Sequence, residues 1–167
     1  MRGVVYDLSH LDPFVHEVVV DGEAFRVRVT FTSHVFTEKL EARHTPDLRY
    51  SFANEVRAFD VRRHQLSLAL PGLLRTHGNR SVYHSDRGTF FLLKGVPNAP
   101  GNRPYAVFFA ALKSNRNDAD VAITVRSAYE KDRIALQAQP VKLTRLVKAI
   151  ADEVPVPAGP PARIQRR

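Results

Sequence analysis

Residues 105–129, YAVFFAALKSNRNDADVAITVRSAY, decide the fold. Tyr105 to Leu112 is an unbroken apolar run, and the stretch SNRNDAD that follows Lys113 is polar. Asp120–Tyr129 then alternates: Val121, Ile123 and Val125 share one face, and Ala122, Thr124 and Arg126 share the other. Side chains in a strand alternate with period two, so this is a half-buried strand; a short polar connection between two strands makes them antiparallel.

Working backward, Thr89–Gly95 and Ser81–Ser85 read as two more strands. The turn Asp86-Arg87-Gly88 joins them, and the loop VPNAPGNRP leads on to Tyr105. The four strands form an antiparallel meander. Before it, Leu66, Leu70, Leu73 and Leu74 recur at helical spacing within Val61–His77. Pro71-Gly72 interrupts that stripe, so either a helix begins near Leu70 or a kinked one starts near Arg63. Earlier still, Phe14–Val20 and Ala24–Thr32 flank Asp21-Gly22, the dipeptide of a two-residue hairpin turn. Residues 33–54 show no stable period and read as a polar loop, with a short helical turn at Thr37–Leu40; Glu55–Asp60 is a candidate short strand. After the meander, Leu143, Leu146, Val147 and Ile150 mark an amphipathic helix over Val141–Val154. The expected fold class is α+β: an N-terminal β-hairpin, a helix, a four-stranded antiparallel meander and a C-terminal amphipathic helix. Residues 1–154 read as a single domain. Residues 155–167 carry four of the 11 prolines and read as a disordered basic tail.

The charge balance points to polyanions. Lys and Arg number 25 against 17 Asp and Glu, a formal net charge of +8, and arginines outnumber lysines 19 to 6. Guanidinium forks grip phosphate oxygens bidentately and stack on bases, although a GC-rich genome also raises Arg over Lys. Cysteine is absent, which excludes disulfides, thiolate metal sites and thiol nucleophiles. No signal peptide is visible at the N-terminus and no apolar run spans a bilayer, so the expected location is the cytosol, with no membrane partner.

The chemistry-bearing residues are scattered. His10, His16, His34, His44, His64, His77 and His84 include no pair at helical metal-site spacing, and the carboxylates form no paired motif; neither a metal nor another cofactor is expected. His34 follows the hairpin directly, where strand gives way to loop, and a neutral histidine is a general base near pH 7. His77 ends the leucine-striped helix beside Arg75. The last meander strand ends in Arg126, Ser127 and Tyr129: a cation, a hydroxyl and a phenol close together. Meander geometry puts that end beside Lys94 and the start of the third strand. The catalytic candidates are therefore His34, His77, Arg126, Ser127 and Tyr129. The candidate nucleic-acid contacts are Arg26, Arg28, Arg75 and Lys94.

This order of elements, carried by LPGLLRTH, FFLLKG, YAVFFAALK and VRSAYEKD between Val61 and Asp132, resembles the barnase–EndoU–colicin–RelE-like nuclease superfamily. The element formed by Ser33, His34, Phe36 and Thr37 is similar to one in prophage-type proteins. The resemblance implies metal-independent RNA cleavage by 2′-hydroxyl attack on the adjacent phosphate. Carried over, it makes Arg126 and Ser127 the strand-borne cation and hydroxyl, Tyr129 a further ligand, and His77 or Arg75 the helix-borne basic residue. The expected function is that of a basic nucleic-acid-binding domain, with ribonuclease activity as its sharpest form. The alternative is a non-catalytic interaction protein of phage type that uses the Arg26 and Arg28 face. RNA or another nucleic acid is the expected partner, and an inhibitory protein masking the basic surface is a further one.

Overall fold

The computed structural model describes residues 4–76, 80–85, 89–94, 104–131 and 140–156, the segment 89–94 by its backbone. The hairpin forms as its turn demands. Strands β1 (Phe14–Val20) and β2 (Glu23–Phe31) pair antiparallel across Asp21 and Gly22. Those two residues have φ of 52° and 84°, the left-handed values that a two-residue hairpin turn with the strands' own twist requires. Along β2, Phe25, Val27 and Val29 are buried while Arg26 is exposed, so the alternation read from sequence is the alternation of the core.

The strands among the described residues build two sheets, a larger and a smaller. The larger has the order β1-β2-β9-β8-β7-β6-β10, where β6 is Ser81–Ser85, β7 Thr89–Lys94, β8 Tyr105–Lys113, β9 Val121–Glu130 and β10 Val141–Lys142. The meander β6 to β9 is antiparallel throughout. The hairpin joins it through β2 and β9, which run parallel with Val27 beside Val121, Val29 beside Ile123 and Phe31 beside Val125. Two buried valine-rich faces meet there in one register. Fully burying each such side chain contributes about 1.5–3 kcal/mol.

Helix α3 (Leu143–Ala151) covers this apolar face, burying Leu143, Leu146, Val147 and Ala151 against β1, β2, β8 and β9. On its outer side Lys148 bonds Glu23 at 2.6 Å and Asp152 at 3.1 Å. The leucine-striped segment satisfies both sequence alternatives. Helix α1 (Val61–Ser67) starts early, capped by Asp60 accepting from the Arg63 amide at 3.0 Å. The chain bends at Leu68–Ala69, and α2 (Leu70–Arg75) restarts with Pro71 in its first turn, where the missing amide costs nothing.

The stretch 33–54 departs from the expected loop. The smaller sheet, of order β3-β5-β4, is built from Thr37–Lys39 (β3), Arg49–Phe52 (β4) and Glu55–Phe59 (β5). Thr37–Lys39 is thus a strand, not a helical turn. The strands are too short for periodicity to show, and β3 is fixed by pairing with residues twenty positions away. The turn between β4 and β5 sets Ala53 at φ 51°. Val156, in the segment read as tail, packs against the core; residues 157–167 lie outside the described residues.

Candidate functional site

The end of β2 builds the site. Thr32 caps a 3-10 turn at Ser33–Val35: its hydroxyl accepts from the His34 amide at 3.4 Å and donates to the Arg126 carbonyl at 2.7 Å. One side chain therefore ties the backbone of His34 to that of Arg126, two of the residues singled out by sequence. The His34 ring extends to β5, where Nε2 lies 3.0 and 2.9 Å from the two carboxylate oxygens of Glu55. With Nε2–H donating to Glu55, Nδ1 is left with no partner among the described residues.

Glu55 is itself held. Arg57 donates from Nη1 to its carboxylate at 3.0 Å, and from Nε to the Thr37 hydroxyl at 2.6 Å. The hydrogen bond from His34 holds the Glu55 carboxyl below the usual carboxylate range; partial burial opposes this, and Arg57 reinforces it. Thr37 is fully buried and passes its own proton to the Ser33 carbonyl at 2.7 Å. Arg63, from α1, donates to the Thr37 carbonyl at 2.7 Å and stands over the Tyr129 ring at 5.2 Å.

Strand β9 presents its share through a β-bulge. Phe109 pairs with Val125 and Phe108 with Ser127, so Arg126 is the extra residue. The bulge shifts the alternation by one: Ala128 is buried where Ser127 would otherwise be, and Arg126 is exposed. The Tyr129 ring stacks on Phe108 at 5.4 Å. Arg126 has no ion-pair partner among the described residues. It shares this with Arg49, Arg75 and Arg145, whereas Arg26, Arg28, Arg43, Arg57, Arg62, Arg63 and Arg116 each sit against a carboxylate.

The structure thus brings His34, Arg126, Ser127 and Tyr129 to one end of the β2–β9 junction. It places Arg26, Arg28 and Arg75 elsewhere. Arg26 lies 3.7 Å from Asp120 and Arg28 2.8 Å from Asp118, both acids belonging to the turn between β8 and β9. Arg75 lies over the Phe14 ring at 3.9 Å. Lys94 pairs with Tyr105 in the same row as Glu130, one residue beyond the row of Ala106 and Tyr129. His77 lies outside the described residues. Glu55, Arg57, Arg63 and Thr32 were not singled out by sequence. The only local hint was the Glu55, Arg57 alternation in a candidate strand, since the partner His34 stands twenty-one residues away.

A second histidine cluster is structural. His10 Nε2 lies 2.8 Å from Ser67 Oγ, and Ser67, fully buried, donates its only hydroxyl proton to the His64 carbonyl at 2.7 Å. Ser67 is therefore an acceptor for His10 and not a nucleophile. His64 bonds the Asp7 carbonyl at 2.9 Å, so both rings fasten the N-terminal segment to α1. Tyr105 is buried beneath the site; burial pushes its phenol well above the ordinary value, the Arg63 charge opposes this, and its proton stays in place. Among the described residues no group of three or more His, Asp or Glu side chains is placed to hold a metal ion. No helix among them is long and apolar enough to cross a membrane.

The family model of the YjaZ family matches residues 1–151. The chain belongs to the YjaZ family. The match runs from the N-terminal segment through α3, so every element of the site in this YjaZ-family chain lies within it. No curated protein and no solved structure matches the chain.

Proposed function

We propose that this YjaZ-family chain binds RNA at the mouth between the end of β2, the β9 bulge and the small sheet, and cleaves it by 2′-hydroxyl attack. One observation carries the reading: His34 is held on Nε2 by both oxygens of Glu55, with Nδ1 unpartnered among the described residues and the ring partly exposed. A carboxylate that fixes the tautomer and orientation of an imidazole and steadies its protonated form makes a general base. His34 Nδ1 takes the 2′-hydroxyl proton, O2′ bonds to phosphorus, and the P–O5′ bond breaks. The leaving 5′-oxygen takes up a proton, for which the Tyr129 phenol is the candidate donor. Arg126, free of any ion pair among the described residues, and Ser127 face the phosphate. Such preorganised charge stabilises the phosphorane.

The alternative, binding without chemistry through Arg26 and Arg28, loses support because Asp118 and Asp120 already neutralise both arginines. An acidic inhibitory protein would act by covering Arg126.

The test is cleavage of an end-labelled RNA in EDTA. Wild-type protein is expected to yield cyclic phosphate ends. His34→Ala is expected to lose at least about a hundredfold, the usual contribution of a general base, and Glu55→Gln about tenfold, each with an unchanged melting profile. RNA left intact by wild-type protein, or full activity in His34→Ala, would overturn the reading.

A further inference from the structure

A cavity of about 400 Å³ opens between the N-terminal segment and the small sheet, lined by Tyr6, Leu8, Asp47, Arg49, Tyr50 and Phe59 among others. Its walls are aromatic: the Tyr6 and Phe59 rings lie 4.5 Å apart, and Tyr50 is braced edge-on by Phe36 at 5.1 Å. Its size is that of a small-molecule site, and so is its make-up, apolar walls with a few polar groups. The polar groups are Asp47 and Arg49. They belong to the same turn-and-strand segment, yet they do not bond each other. Neither side chain has an ion-pair or hydrogen-bond partner among the described residues.

We infer that this cavity is a base-binding subsite taking a purine of the bound RNA. The inference rests on the proposed RNA-binding reading and deepens it. A flat fused ring lies against such an aromatic wall, where stacking contributes about 1–3 kcal/mol per base. A purine edge carries both donors and acceptors. A carboxylate accepts from ring and amino N–H groups, and a guanidinium donates to a carbonyl oxygen and N7. Asp47 and Arg49 supply that complementary pair at the rim of the aromatic wall. The cavity is also in reach of the proposed chemistry. Phe59 and Glu55 share one face of β5, four residues apart, so the subsite and the His34–Glu55 pair are separated by about 13 Å. A short oligonucleotide spans that distance.

The test uses the full chain and three probes without phosphate: guanosine, adenosine and uridine, followed by saturation-transfer NMR. At least one purine nucleoside is expected to bind, at least about tenfold more tightly than uridine. Asp47→Asn and Arg49→Gln are expected to weaken that purine about tenfold each, the effect of losing a charged hydrogen bond, with melting unchanged because both side chains are exposed. His34→Ala is expected to leave nucleoside binding unchanged. Absence of nucleoside binding, equal binding of uridine, or indifference to both variants would overturn the subsite. The two readings fail separately. Purine binding by a chain that leaves RNA intact keeps the subsite and removes the chemistry; RNA cleavage without purine binding does the reverse.

Discussion

Replacing Thr37 by valine removes one hydroxyl from beneath the proposed site while keeping the side chain's shape. That hydroxyl is fully buried, donates to the Ser33 carbonyl at 2.7 Å and accepts from Arg57 Nε at 2.6 Å. The bond from a charged donor is worth about 1.5–3 kcal/mol and the neutral one about 1 kcal/mol. The new methyl returns about 0.8 kcal/mol of apolar burial. The net loss is therefore about 2–3 kcal/mol, because Arg57 keeps Glu55 and a longer contact to the Thr37 carbonyl at 3.4 Å. For a chain of this size that is a fall in Tm of roughly 5–10 °C. Urea unfolding followed by circular dichroism gives the free energy directly, with an unchanged slope expected. Thr37→Ser, which keeps the hydroxyl and loses the methyl, is expected to cost only about 1 kcal/mol. A valine variant as stable as wild type, or more stable than the serine variant, would refute the account of how Arg57 is anchored.

Two further outcomes follow from the charges. Burial first, then the nearby His64, holds the His10 imidazole below its usual 6.5, with Asp7 opposing. The folded state thus binds this proton less readily than the unfolded one. The His10 contribution to stability is complete above pH 6.5 and is lost as pH falls through the lower folded value. The urea midpoint of wild-type protein should drop between pH 7.5 and 5.5, and His10→Gln should flatten that drop; equal drops would count against it. Asp118→Asn releases Arg28 and Arg116 together. If RNA runs past Arg126, affinity at fixed salt should change less than about twofold. A large gain, with the salt slope for single-stranded RNA steeper by roughly 1.4, would move the interface to the Arg28 face.

Where local chemistry dictates structure, the sequence was readable. Asp21-Gly22 announced the hairpin because few residues adopt two successive positive φ angles. Val121, Ile123 and Val125 announced β9 because one face of it is core. Pro71 left two options for the leucine-striped helix, and the bend satisfies both. Long-range pairing was not readable. Nothing in Thr37–Lys39 signals a strand until Arg57–Phe59 lies beside it, and nothing in either valine-rich segment says that β2 and β9 should run parallel. The site divides the same way. Arg126, Ser127 and Tyr129 stood out as neighbours in sequence, and His34 as the residue at a strand's end. Glu55, which orients His34, is visible only once the smaller sheet has formed. For Arg26 and Arg28 the limit is the opposite: an alternating strand shows which face its arginines take, but not that two aspartates of a distant turn are waiting there.

The parallel junction of β2 and β9 sets an order of events during synthesis. The first hairpin leaves the ribosome with one long edge unpaired, and that edge finds its neighbour only after residue 125 has emerged. Pairings so distant along the chain are slow, because loop closure comes before any reward. Meanwhile Val27 and Val29 have β1 on one side and no strand on the other, an opening for misassociation or for a chaperone. The Thr32–Arg126 link crosses the same seam. A nascent chain short of β9 therefore has His34 but no Arg126 beside it, and whatever this mouth does, it begins only after β9 has been made.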